Sequence, residues 1–175
     1  MGSNFESIQV NSFISTQNSQ LLARRILFKA LMREEGIGFA WNLYREVIRC
    51  SDPVAKKLEE DDLKFSYEDY LRHSLQLLHS IRGNGFRLEA QTPIRVTDKG
   101  VVVDGAHRLA ILNLLGVDEV KADLSEHAHE EGYPVSRLVE AGLAECFQDA
   151  LELEVLTSEK MKSAIVFFGF EKKKM

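Results

Sequence analysis

Residues 92–124 read TPIRVTDKGVVVDGAHRLAILNLLGVDEVKADL, and the pattern of this stretch decides the fold. The β-branched runs 94–97 and 101–103 predict two hairpin strands joined by Asp98, Lys99 and Gly100. From about Ala106 to Leu115 the spacing turns helical, and Gly116 supplies a residue suited to the position just past a helix end. Residues 117–124 then return as a strand. A strand that turns directly into a helix presents amides for which the helix has no acceptor, at the positive end of its dipole. Such a junction suits an anion, phosphate above all. Here it is Asp104-Gly105-Ala106-His107-Arg108. His107 and Arg108 go against the dipole's preference for acidic groups in a first turn, which points to an external anion.

Outward from this stretch the chain is less explicit. Residues 1–18 are rich in Asn, Ser and Gln and lack a helical period, so they are expected to be extended or poorly ordered. Apolar positions Leu21, Leu22, Ile26, Leu27, Ala30 and Leu31 predict a one-faced helix over 20–35, ended by Gly36 and Gly38. A second helix is expected over 39–49, closed by Ser51-Asp52-Pro53, with Phe39, Trp41 and Tyr44 as core aromatics. The charged run from Lys56 to Asp62 reads as a solvated face or linker. Ser66 with Asp69 resembles a capping box opening a helix that ends at Gly83-Asn84-Gly85. That glycine pair is turn chemistry, because no strand precedes it and the third glycine of a dinucleotide fingerprint is missing. Pro134 favours a helix over 134–141; 143–156 stays ambiguous, and 164–170 reads as a strand carrying Phe167, Phe168 and Phe170.

Composition sets outer bounds. The 175 residues, 45% hydrophobic and 28% charged, can build one domain with a proper core and an extension. A net charge of -5 disfavours nucleic acid and anionic membranes as partners. No apolar run approaches the roughly 20 residues of a membrane span, and no signal peptide opens the chain. Glu6 stands where a myristoylation signal needs Ser or Thr. Cys50 and Cys146 form no metal or redox motif and are expected as buried, reduced thiols of a cytoplasmic protein. Glu126-His127-Ala128-His129-Glu130-Glu131 lacks a third histidine, so it reads as a solvated loop able to close over a ligand rather than as a metal site. His73 and His79 fall on different helix faces and read as surface or packing residues.

The hairpin, the Asp-Gly-x-His-Arg junction, the helix ending in Leu-Gly and the strand after it resemble the ParB/sulfiredoxin family over residues 75–124. The resemblance implies an α+β fold: a small mixed sheet flanked by helices, here with an N-terminal helical extension. The division expected is 1–64 extension, 65–125 core, and 126–175 completing the same domain. It further implies that Gly105, Ala106, His107 and Arg108 contact nucleotide phosphates. Sulfiredoxins carry a catalytic cysteine immediately before His-Arg; Ala106 stands there and has no sulfur to attack with, which excludes that activity. The partition-type branch is more distant in this turn, and no helix-turn-helix module follows the core.

The free-serine-kinase branch, with Asp-Gly-His-His-Arg, matches at Asp104, Gly105, His107 and Arg108. It implies phosphoryl transfer to a small hydroxylated metabolite. Asp104 would be the base and Glu68, assigned by spacing, an assisting carboxylate, with ATP or ADP (or CTP) and Mg²⁺ as cofactors. Two rivals stand beside it: a DNA-associated ParB-like clamp or nuclease, and a non-catalytic nucleotide sensor. At the residue level, too, alternatives are open. Arg108 has a structural partner within reach in Asp104, and Asp104 is a favoured helix cap. The acceptor, the preferred nucleotide and the oligomeric state have no signature in the sequence.

Overall fold

The structure, a computed structural model, describes residues 5–51, 67–84, 93–97, 100–126 and 133–167. It is an α+β fold in which a small mixed sheet is flanked by helices. Strands β1 (Phe5–Gln9), β2 (Ile94–Thr97), β3 (Val102–Asp104) and β4 (Glu119–Glu126) lie in the order β1-β4-β2-β3. The helices among the described residues are α1 (Ser19–Arg33), α2 (Ile37–Ser51), α3 (Tyr67–Asn84), α4 (Ala106–Leu114), α5 (Val135–Glu140) and α6 (Glu145–Phe167).

The hairpin expected from the alternation is present: β2 and β3 pair antiparallel, and Thr97 and Val101 close the turn through Thr97 N–H to Val101 O at 2.9 Å. Asp98 and Lys99 of that turn lie outside the described residues. β4 joins β2 in parallel, with Ile94 opposite Ala122, as a strand returning after a crossover helix does. Its inner positions Val120 and Ala122 are buried with Ile94 and Val96 of β2, while Glu119 and Arg95 are exposed. One apolar and one polar face follow directly from the two-residue period.

The N-terminal segment is extended, but it is also built into the sheet. β1 pairs antiparallel with β4, Ile8 opposite Val120, and a 3-10 turn over Val10–Phe13 sinks Val10 and Phe13 into the core. Asn18 ties the start of α1 to the hairpin, its Nδ2–H donating to Phe13 O at 3.0 Å and Gly100 O at 3.3 Å. The α1 entry is pinned again by Val135 N–H to Thr16 O at 2.9 Å and by the Ser19 hydroxyl to Tyr133 O. One core then runs from Val10 through Leu22, Phe28 and Leu43 to Leu109, Ile111, Leu138 and Leu151. Residues of all three sequence segments share it.

α4 sits at its centre, with Leu109, Ala110, Ile111 and Leu112 all fully buried. Four consecutive buried positions mean that both sides of this helix are covered, one of them by α1.

Five expectations are corrected. Residues 164–167 do not form a strand; α6 runs unbroken to Phe167, and Phe168 and Phe170 lie outside the described residues. The first helix ends before the glycines, at Glu34, which takes a left-handed conformation (φ 57°) with its N–H on Ala30 O, and Gly38 lies inside α2. Phe39 is 47% exposed and leans on Phe147, leaving Tyr44 buried and Trp41 partly so. Cys146 is exposed and Cys50 half-buried. Burial nevertheless pushes the Cys50 thiol up, with Arg49 opposing and Glu46 reinforcing. His73 and His79 are on the surface. Pro134 precedes α5 as its cap rather than opening its first turn. Residues 52–66, which include Ser66 and the run from Lys56 to Asp62, together with Gly85 and residues 171–175, lie outside the described residues.

Candidate functional site: the turn between β3 and α4

Strand β3 does not run straight into its turn. Val96 faces Val102 while Arg95 faces Asp104, so β3 carries one extra residue at its end. A bulge of this kind bends the strand and re-aims the side chains beside it. Asp104 leaves the sheet there with its side chain 56% exposed.

Gly105 follows in the left-handed region (φ 87°, ψ 12°) and is the N-cap of α4; its carbonyl accepts from Leu109 N–H at 2.9 Å. The capping role open to Asp104 in the sequence therefore belongs to the glycine next to it. A Cβ on Gly105 would stand 2.6 Å from Ile94 Cδ1 and 2.9 Å from Arg108 Nη2. The turn is thus closed tightly against β2 on one side, and the Arg108 guanidinium folds back over it on the other. From there Arg108 Nη2 lies 3.6 Å from Asp104 Oδ2, a loose contact of the kind worth little in solvent. The turn therefore gathers a left-handed glycine, a guanidinium and an exposed carboxylate at the amino end of a helix.

His107 turns the other way. Its ring meets Phe28 of α1 and Tyr44 of α2 edge-on, with centroids 6.2 Å and 6.4 Å away. Arg24 of α1 donates through Nε–H to His107 Nδ1 at 3.4 Å, and its guanidinium lies 5.3 Å above the Tyr44 ring. Burial first, and then the charge of Arg24, push the His107 pKa down to about 3. The imidazole is therefore neutral at physiological pH, and because Nδ1 accepts, Nε2 carries its proton. The resemblance implied that His107 contacts phosphate; in the structure its ring lies among Phe28, Tyr44 and Arg24.

Arg24 is the residue that sequence reading missed. Its signal was an arginine doublet, Arg24-Arg25, set into the apolar stripe of the first helix. The second member of the doublet is tied up: Arg25 Nε bonds Glu154 Oε1 at 2.7 Å, and Lys29 reaches the same carboxylate at 3.0 Å. Arg24 has no such carboxylate among the described residues; its Nη1 bonds Gln20 O and Oε1 instead.

Of the remaining expected residues, Glu68 falls in the first turn of α3, and its side chain is outside what the structure describes. Residues 127–132, with His127 and His129, which the sequence suggests as a solvated loop, also lie outside the described residues. Their root is defined, however. β4 leaves the sheet where Glu126 faces Thr97, the opposite end of β2 from Arg95 and Asp104. A phosphate at the turn would find first-turn amides and the Arg108 guanidinium together, a combination matched to oxyanions. Mg²⁺ usually binds through one or two carboxylates plus the phosphates themselves, and Asp104 is a carboxylate in that position. No family model matches this chain, and comparison with curated proteins and with solved structures likewise returns no match.

Proposed function

We propose that the chain binds a nucleotide through its phosphates at the β3–α4 turn and transfers a phosphoryl group to a small hydroxylated metabolite. The observation that carries the reading is the fold of Arg108 over Gly105. A guanidinium at a helix amino end, folded over a left-handed glycine, is a cradle suited to an oxyanion. Gly105 and Ala106 contribute backbone N–H groups and Arg108 the charge. Asp104 accepts the proton of the attacking hydroxyl as its oxygen bonds to phosphorus and the nucleoside diphosphate departs. In the alternative role, Asp104 would hold Mg²⁺ entering with the nucleotide, together with the phosphates, and the ion would neutralise charge on the latter. The reading extends the resemblance to the kinase branch of the ParB/sulfiredoxin family, with His107 reassigned from phosphate contact to the interior.

A thermal-shift panel of ATP, ADP, CTP and GTP with Mg²⁺ tests it. At about 100 times its dissociation constant a bound nucleotide stabilises by about 2.7 kcal/mol, a rise of about 5–10 °C for a chain of this size. Arg108→Ala should abolish the rise. A wild type indifferent to all four nucleotides overturns the proposal.

The nearness of Asp104 to Arg108 also fits a second reading, a nucleotide sensor without turnover, in which the carboxylate lies beside the arginine and accepts no proton. The two part on Asp104→Asn in a coupled transfer assay. The kinase loses turnover and keeps binding; the sensor has no turnover to lose.

A further inference from the structure

We propose that Arg24, on α1, is a positioning residue for the β3–α4 turn, acting through His107 to fix the first turn of α4 from which Ala106 and Arg108 address the anion. The inference rests on the phosphate-site reading above and adds to it a residue more than eighty positions away in sequence.

Three contacts argue for the role. Arg24 Nε–H points at His107 Nδ1, its plane covers Tyr44, and its Nη1 is anchored on the Gln20 carbonyl one turn earlier in the same helix. The guanidinium is therefore clamped on its own helix and offers one donor to the imidazole. A ring nitrogen that accepts a fixed donor selects a single tautomer, so the ring is held in one orientation between Phe28 and Tyr44. His107 and Arg108 are consecutive in the first turn of a nine-residue helix. Withdrawal of the His107 ring from between Phe28 and Tyr44 would therefore shift the first-turn backbone that also carries Arg108. Arg24 spends its Nε–H on an uncharged ring leading to the site.

The test separates hydrogen-bond positioning from simple charge and from simple packing. ¹⁵N-histidine NMR on the full chain, with His107→Gln for assignment, should show His107 in wild type as a single Nε2–H form. Arg24→Met keeps the stem over Tyr44 and removes the donor. It should yield mixed tautomers and weaken ADP binding in calorimetry about tenfold, the equivalent of one modest hydrogen bond. Arg24→Lys restores the charge without the planar Nε–H donor. It should remain mixed in tautomer and equally weak for ADP.

Full affinity in Arg24→Met, with or without a change in melting temperature, overturns the proposal. Rescue of affinity by Arg24→Lys while the tautomers stay mixed also overturns it, because charge without the hydrogen bond would then account for the effect. A wild type that binds no ADP defeats the phosphate site itself and the proposal with it. That failure is distinguished from one of Arg24 alone, in which wild type and Arg24→Met bind equally.

Discussion

Gly105 and His107 sit two residues apart and were legible to different degrees. A glycine between a strand and a helix, followed by Arg108, is a local signal, because backbone conformation at a junction depends on neighbours in sequence. In the structure Gly105 is left-handed and the Arg108 guanidinium folds over it. This makes Gly105→Ala a sharp test. The left-handed conformation alone costs a side chain about 1–2 kcal/mol, and the Cβ must displace Ile94 or Arg108. We expect loss of the nucleotide-induced thermal shift together with a fall of about 5 °C in melting temperature, both read in one scan. The direction of His107 was not legible, since it depends on Arg24, Phe28 and Tyr44 arriving from two other helices.

Among the elements, α1 shows how far a helix can be read from spacing. Its buried stripe was evident, but its end was not. The chain turns at Glu34, a left-handed non-glycine, two residues before the glycine expected to end it. Glu34→Gly should relieve that strain and raise stability by up to about 1 kcal/mol, visible as a higher denaturation midpoint at unchanged slope. The far end of the chain misled more. Ile165, Val166 and Phe167 have strand-like side chains, yet they continue α6, as weak intrinsic preference yields when a helix already runs into it. α6 is fastened to α1 through the buried Glu154 between Arg25 and Lys29. Glu154→Ala leaves Arg25 buried without its partner, and such truncations cost about 3–5 kcal/mol. The melting temperature should drop by about 10 °C, whereas Glu152→Ala, on the exposed side of the same helix, should leave it unchanged.

For the whole molecule, acid should be the sensitive direction, and two groups set the window. The His107 pKa is lowered from 6.5 to about 3 by burial and Arg24. The unfolded chain therefore binds that proton first, and stability is lost as pH falls from about 6.5 towards 3. Burial alone would raise the Glu154 carboxyl, but hydrogen bonds and charge from Arg25 and then Lys29 hold it below its usual 4.5. Its contribution is present above that value and lost as pH falls through the lowered one. Both signs agree, so unfolding free energy measured by denaturant titration should decline steadily below about pH 6.5. In His107→Phe the decline should begin only in the carboxylate range.

Sequence by itself determined the hairpin, the strand–turn–helix junction and the residues standing in it, all written in short-range periodicity and in the backbone freedom of single glycines; the α+β class came with the resemblance these residues carry. The tertiary structure decided that the polar N-terminal segment closes one edge of the sheet, with Ile8 paired to Val120 more than a hundred residues away. It also decided that α4 is covered on both sides and that Arg24 and His107 meet. The reason is physical: a pairing between distant segments is selected by the apolar area and hydrogen bonds it completes in the folded chain, and neither partner carries a local mark of the other.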